Sequence, residues 1–282
     1  MTKIKRRDFL KLAFLTIAGS SAVAGSYLYA HNETSQLVIE PVQIPIKNLK
    51  PALEGFTIAQ LSDIHFGGLT KPEIARQAVA LANSLNPDLV VLTGDYVWHN
   101  VEAIFDLAPI LTDLDARYGV YAALGNHEIW TDVGVVLQAF EEIRMPLLVN
   151  QGVTIQVGNE NLYLAGLDDG WSGRPDLNAA LKSAPKNVPV ILLFHEPDLA
   201  DRVSLDSRPS LQLAGHSHGG QVRFPIIGAP VLPYLSWKYN MGLYRVRDMW
   251  LYTNRGIGVT NIPVRYNCPP EITLLTLVQA SD

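Results

Sequence analysis

Five short apolar runs limit what this chain can fold into: Phe56 to Leu61, Leu89 to Thr93, Val120 to Leu124, Val190 to Phe194 and Leu211 to Ala214. Their length and unbroken apolar character suit strands covered on both faces, the kind found in parallel sheets. Helical patterns, Pro72 to Leu85 and Val101 to Leu114, separate the first three runs, and another, Thr131 to Ile143, follows the third. Pro72 stands where a helix starts and Pro87 where the following turn closes. This alternation predicts β-α-β units and a largely parallel sheet. Farther along, Gly152 to Val157 and Asn161 to Gly166 read as a hairpin around Gly158-Asn159. Leu243 to Val246, Trp250 to Thr253 and Ile272 to Val278 are strand-like, so a second, mixed sheet is expected. An extended, proline-punctuated stretch from Leu37 to Lys50 leads into a single domain spanning 37–282.

Polar residues of one chemical kind stand just past these runs. Asp63 and His65 follow the first, Asp95 the second, and Asn126 with His127 the third; His195 and His216 follow the last two. In open α/β sheets functional groups gather at the carboxyl ends of strands, so these residues are expected along one edge. With His218 added, the set holds four imidazoles, two carboxylates and an amide oxygen, a mixed N/O environment suited to Zn, Mn or Fe. Seven ligands are too many for one zinc. Sharing Asp95 gives each of two ions four protein ligands and leaves room for a bridging hydroxide and a phosphate. Two metals roughly 3.5–4 Å apart clamp the attacking and leaving oxygens of an in-line displacement.

The 282 residues, 48% of them hydrophobic, are enough to bury a large α/β core. Lys and Arg number 22 against 27 Asp and Glu, a net charge of -5, so no nucleic-acid partner is expected. Cys268 is the single cysteine, which excludes an intramolecular disulfide.

Residues 1–30 read as a targeting segment. Arg6-Arg7 followed by Phe9, Leu10 and Lys11 resembles a twin-arginine export signal, and Ala22-Val23-Ala24 offers cleavage after Ala24. Leu12 to Ala30 carries no charge, so retention as a membrane anchor is the alternative. The signal implies the twin-arginine export machinery as a partner and a location in the periplasm, in the cell wall or anchored outside the membrane. Cleavage removes Lys3, Lys5, Arg6, Arg7 and Lys11 against one acid, Asp8, leaving an acidic body that does not grip an anionic membrane by charge alone.

Asp63-Ile64-His65, Gly94-Asp95, Gly125-Asn126-His127-Glu128, His195 and Gly215-His216-Ser217-His218 occur in an order that resembles the calcineurin-like metallophosphoesterase superfamily. Gly219-Gly220-Gln221, Asn254 to Gly258 and Pro270-Glu271-Ile272 resemble its branch of exported bacterial phosphodiesterases. The resemblance implies an α/β fold, a four-layer αββα sandwich with two mixed β-sheets. It implies that Asp63, His65 and His218 hold one metal, that Asn126, His195 and His216 hold the other, and that Asp95 bridges them. It further implies that His127 is no ligand but protonates the leaving oxygen or stabilises the transition state, with Glu128 as a candidate to orient it. Protein phosphatases of the superfamily place an Asp three residues beyond the bridging Asp; here that residue is Trp98. A small-molecule or lipid phosphodiester is therefore the expected substrate class, cleaved by a metal-bridging hydroxide. The alternatives are a lipid- or nucleotide-linked pyrophosphate hydrolase of envelope metabolism and, in another class, a noncatalytic metal-binding envelope protein.

Other polar residues have structural readings. His99 reads as a solvated loop residue, and Asp168-Asp169 as a loop-initiating acidic pair. Arg255 and Arg265 are candidates to bind substrate phosphate, with structural ion pairs as the competing role. Between Arg223 and Met241, nine apolar or aromatic residues are broken by Pro225, Pro230 and Pro233, which forbid a regular helix or central strand. Filling of the core beneath a long loop is the default for such a segment. An apolar lip beside the metals, accepting a lipid tail or touching a membrane, is the alternative.

Overall fold

The computed structural model describes residues 25–281; Arg6, Arg7 and Ala22 to Ala24 lie outside them. Residues 25–33 form a helix, α1. Its buried Glu33 accepts from the backbone N–H groups of Asn267 (3.1 Å) and Cys268 (2.7 Å), which ties α1 to a late segment of the chain. The proline-punctuated stretch becomes β1 (Val38–Ile46), at the edge of its sheet, where Pro41 and Pro45 are tolerated because an edge has N–H positions that need no partner.

The next apolar runs form β2 (Thr57–Leu61), β3 (Leu89–Leu92) and β4 (Val120–Ala122), which pair in parallel. Helices α2 (Pro72–Ser84) and α3 (Ile104–Leu111) connect them. Ala75, Ala78, Val79 and Ala82 make an i, i+3, i+4, i+7 stripe that α2 buries against the outer face of this sheet. The second helical pattern splits, because Val101–Ala103 winds as a 3-10 turn before α3. Pro109 has no N–H to give α3, and the Thr112 hydroxyl donates to the Pro109 carbonyl (2.6 Å) just past the helix end. After β4 come α4 (Asn126–Trp130) and α5 (Val133–Glu142), the latter capped by Asp132, whose carboxylate accepts from Gly134 N (2.9 Å).

In the second half β5 (Gln151–Val157) and β6 (Glu160–Gly166) form the expected hairpin, turning at Gly158 with φ +59°. There follow α6 (Leu177–Ala180), β7 (Val190–Leu193), α7 (Ala200–Val203), β8 (Leu211–Ala214), β9 (Gly242–Val246) and β10 (Met249–Thr253). This sheet runs β5-β6-β7-β8-β10-β9. The last strand departs from the sequence reading. Ile272 to Val278 lies in β11 (Glu271–Gln279), which inserts between β1 and β2 of the first sheet, parallel to β1 and antiparallel to β2. There Ile272 packs toward the helices while Leu275 and Leu277 face the other sheet, so the strand completes two buried faces at once.

Between the sheets Ile58, Leu89 and Val91 meet Leu162, Leu164 and Leu213, all fully buried. Each such side chain contributes roughly 1.5–3 kcal/mol relative to exposure. Helices α2, α3 and α5 cover one outer face and the shorter α6 and α7 the other, which makes four αββα layers with two mixed sheets. Among the described residues no helix is long and apolar enough to cross a membrane.

Candidate metal centre

Both sheets deliver strand ends to one place. A buried polar seam joins them: Gln60 Nε2 donates to Thr93 Oγ1 (3.0 Å) and to the Ala214 carbonyl (2.9 Å), and the Thr93 hydroxyl donates to Ser62 Oγ (2.7 Å). Just past the seam the loops interlock, with Asp63 N donating to Gly94 O and His65 N to Asp95 O, each at 3.0 Å. The approach is close enough to require glycine. A Cβ on Gly94, at φ +92°, would stand 2.5 Å from Gly125 N, and one on Gly215 would collide with Ser62 and Asp63. Five candidate ligands, Asp63, His65, Asp95, His216 and His218, themselves adopt positive φ between 48° and 68°. Such backbone strain persists where the surroundings over-determine it, as at functional sites.

The result is a buried cluster. His218 Nε2 lies 2.9 Å from His65 Nε2 and 3.3 Å from Asp63 Oδ1, while His195 Nε2 lies 3.2 Å from Asp95 Oδ2. Asp63, His65 and His218 converge within metal-binding reach, Asp95, His195 and His216 do so separately, and Asp95 also converges with His65 and His127. Carbonyl partners fix two tautomers, since a carbonyl can only accept. His195 Nδ1–H donates to Thr93 O (2.6 Å), turning Nε2 inward, and His216 Nε2–H donates to Tyr234 O (2.7 Å), turning Nδ1 inward. Asn126 Oδ1 and His195 Nε2 are buried without a hydrogen-bond partner in the protein. Orphaned acceptors beside two carboxylates and two imidazole nitrogens in contact fit a divalent cation.

Electrostatics agree with that fit. Burial alone would raise both carboxyls, but the surrounding imidazoles, His218 first for Asp63 and His195 first for Asp95, hold both below the usual carboxylate range. Burial lowers His65 well below the ordinary histidine value and His216 to about 4, so both keep a lone pair at neutral pH. Burial would lower His195 as well, but Asp95 overcomes it and raises that imidazole, a positive charge that a bound cation would replace.

His127 stands beside this cluster, its ring 4.6 Å from that of His65 and stacked on Trp98 at 4.6 Å. The Trp98 carbonyl, not Glu128, accepts from His127 Nδ1 (3.0 Å). Glu128 lies underneath as a backbone clamp, accepting from Gly125 N (2.8 Å), Asp95 N (2.9 Å) and Tyr96 N (2.8 Å). Burial and the nearby Asp95 push its carboxyl up to about 8, against the pull of those three N–H groups.

Neither candidate arginine lines the cavity, although Arg265 Nη2 lies 3.4 Å from His218 Nδ1. Arg255 pairs with Glu271 and with Glu40 (2.9 Å), and fully buried Arg265 donates to the carbonyls of Cys268, Arg255, Gly256 and Gly258. Their structural role prevails because these acceptors hold both guanidinium groups in place, although Arg265 Nε has no partner in the protein. Asp168 and Asp169 accept backbone N–H groups within their own loop, Arg174 N (2.8 Å) for the first and Gly173 N (3.0 Å) for the second. His99 is exposed at the mouth, tilted against Trp98.

A cavity of about 660 Å³ opens over the cluster. Trp98, Trp130 and Trp171 wall one side and Val231 and Ile262 the other, and among the described residues lining it there is no lysine or arginine. Trp130 meets Trp171 edge-on at 4.7 Å, and Trp171 meets Tyr234 at 5.5 Å. The sequence reading treated Trp98 only as a departure and missed Trp130 and Trp171. The sequence holds five tryptophans, and their polar backgrounds at 130 and 171 were the available signal.

Residues 56–220 match the model of the calcineurin-like phosphoesterase family. The chain belongs to that family. An uncharacterized metallophosphoesterase of Bacillus subtilis, YkuE, is 32% identical over 98% of this chain and 99% of its own length. The Escherichia coli phosphodiesterase YaeI is 32% identical over 98% of this chain and 100% of its own. Among solved structures, TT1561 of Thermus thermophilus shares the fold, with a TM-score of 0.51 and 14% identity over 72% of this chain and 90% of that one. The Asp/His cluster is thus the divalent-metal site of a calcineurin-like phosphoesterase, a hydrolase of phosphate esters.

Proposed function

We propose that the chain hydrolyses a phosphodiester with two divalent ions, Mn, Zn or Fe, and that the observation carrying this reading is the position of Asp95 between two convergent ligand groups. Asp63, His65 and His218 would hold one ion and Asn126, His195 and His216 the other, with Asp95 serving both. Bound there, such a pair supplies positive charge to the phosphoryl oxygens and an acidified water as nucleophile. The chain's own side chains do the rest. With Nδ1–H committed to the Trp98 carbonyl, His127 Nε2 is the ring atom left for the departing ester oxygen, to which the imidazolium form would give its Nε2 proton and become the neutral ring. Trp98 and Trp130 pack around His127 and restrict water beside it.

The diester is favoured over a linked pyrophosphate because a second phosphate would meet no cationic side chain among the described lining residues, while the indole walls suit an apolar or planar ester arm. The fold's relative YaeI, named a phosphodiesterase, supports the same choice. The test is metal analysis of the purified protein followed by a panel of soluble diesters, monoesters and pyrophosphates. The highest kcat/KM is expected for a diester; faster turnover of a pyrophosphate overturns the choice.

We also propose export through the twin-arginine machinery, to an extracytoplasmic site at or near the membrane. Ligands from two sheets meet only after folding, which suits a route that carries folded proteins. Replacing Arg6 and Arg7 together by lysine should leave the protein in the cytoplasm on fractionation, and undiminished export would sink the idea.

A further inference from the structure

The segment after the metal-binding histidines does not fill the core. Phe224, Ile226, Ile227, Val231, Tyr234 and Trp237 are all exposed, Ile227 at 77% and Val231 at 73%, whereas only Leu232 and Tyr239 of the segment's large apolar side chains are buried. Ile226 sits at the apex of a tight turn, closed by Phe224 N donating to Gly228 O (2.9 Å) and Gly228 N donating to Phe224 O (2.9 Å). It is fully exposed and adopts φ +73°, a conformation in which a β-branched residue is an outlier and glycine would be at ease. The fold accepts strain there to hold an isoleucine in the open.

A second apolar element continues this ridge. Tyr29 of α1 meets Tyr266 edge-on at 5.8 Å, and Tyr266 meets Phe224 at 6.0 Å. Tyr27 and Leu28 beside it are exposed as well. Helix α1 is fixed in this position by the Glu33 bonds and by Arg265 N donating to Ala30 O (2.9 Å). The uncharged stretch Leu12 to Ala30 thus delivers its last residues onto the patch that flanks the metal cavity. Val231 and Ile262, both exposed, belong at once to this surface and to the cavity wall.

We propose that this ridge seats on a lipid bilayer, with Ile226 and Ile227 inserted among the acyl chains and the metal cavity opening into the headgroup layer, so that the phosphodiester it takes is that of a lipid. Tyrosine and tryptophan at the flanks, an aliphatic apex and, among the described residues lining the cavity, no lysine or arginine describe a surface that binds by apolar insertion. The bilayer is favoured over a second copy of the chain because the uncharged stretch of sequence runs into the same face. The lipid substrate rests on the phosphodiesterase reading above; the docking does not.

The two are tested apart. Cys268 is buried, so a single cysteine at position 226 of the full chain can carry an environment-sensitive fluorophore. With phosphatidylcholine vesicles, Ile226→Cys should shift to the blue and be quenched by brominated acyl chains, while Asp248→Cys, whose parent side chain is 86% exposed, should remain water-like. A water-like signal at 226 while the chain is vesicle-bound overturns the docking. So does a blue shift without vesicles that grows with a sedimenting dimer, which would assign the ridge to a second copy. For the substrate, Ile226→Asp with Ile227→Asp should lower kcat/KM for a phosphodiester lipid in vesicles roughly tenfold or more, through lost insertion, with a soluble diester unaffected. Equal losses on both substrates overturn the lipid assignment. If the unsubstituted chain turns over no diester, the catalytic reading fails and the fluorophore result still decides the docking.

Discussion

The floor of the cavity and its rim are built by opposite rules. On the floor the cluster's side chains are all buried, Asn126 Oδ1 and His195 Nε2 without a partner in the protein, and five of its residues have left-handed backbone held by interlocking loops. On the rim, aliphatic side chains stand in the open on a proline-broken segment that is anchored at its far end by Lys238 and Tyr239 on Asp201. The two meet where His216 Nε2–H donates to Tyr234 O and the Ser217 hydroxyl to Asn240 O (2.8 Å), the first of which lets rim backbone fix the tautomer of a floor residue. A site that must fix metal positions to fractions of an ångström calls for over-determined geometry, whereas a contact surface needs only the right side chains outward.

The contrast breaks most sharply at Asp95. Asp95→Ala should remove both ligand groups' common member, abolish hydrolysis by roughly 10⁴-fold or more and lose metal on elemental analysis; retained metal with high turnover would contradict the shared-ligand reading. His127→Ala should keep its metal and lose about 10²–10⁴-fold in kcat, because proton delivery rather than ligation is removed. Glu128→Ala strips the acceptor from three buried N–H groups, so the floor should lose about 3 kcal/mol or more in urea titration. If Glu128 merely oriented His127, stability would be spared and only rate would fall.

Acid should also separate the two regions. His216 titrates at about 4 in the fold against 6.5 unfolded, so between those values the unfolded chain binds the extra proton. Chelator-treated protein should therefore lose stability as pH falls from 6.5 toward 4, by about 3 kcal/mol for this group. His65, also lowered, acts in the same direction, while raised His195 contributes no slope there because it is protonated in both states. A melting temperature flat across that window would refute the buried neutral imidazole. The smallest effect belongs to the rim: Ile227→Ser should change unfolding free energy by no more than about 0.5 kcal/mol. A larger loss would mean that the ridge packs against the body.

Much of this molecule was readable from the chain alone, for local reasons. Apolar runs of strand length, and ligand-type residues just past them, mark β2, β3, β4, β7 and β8 and the edge where their ends meet. The order of the metal-site motifs is likewise a property of sequence, and it carried the family. What the sequence left open depends on which groups face each other in space. Nothing local in Ile272 to Val278 says that β11 slots beside β2, since either sheet would bury it equally well. Glu128 stands next to His127 in sequence, yet helix geometry turns it toward the backbone of residues 95 and 96. Arg255 and Arg265 carry charge suited to phosphate, and only the packed structure shows that Glu271 and buried carbonyls already claim it. The apolar segment after His218 had two readings of equal composition. Burial is a relation between a side chain and its neighbours, and so the tertiary structure alone decided that these residues look outward.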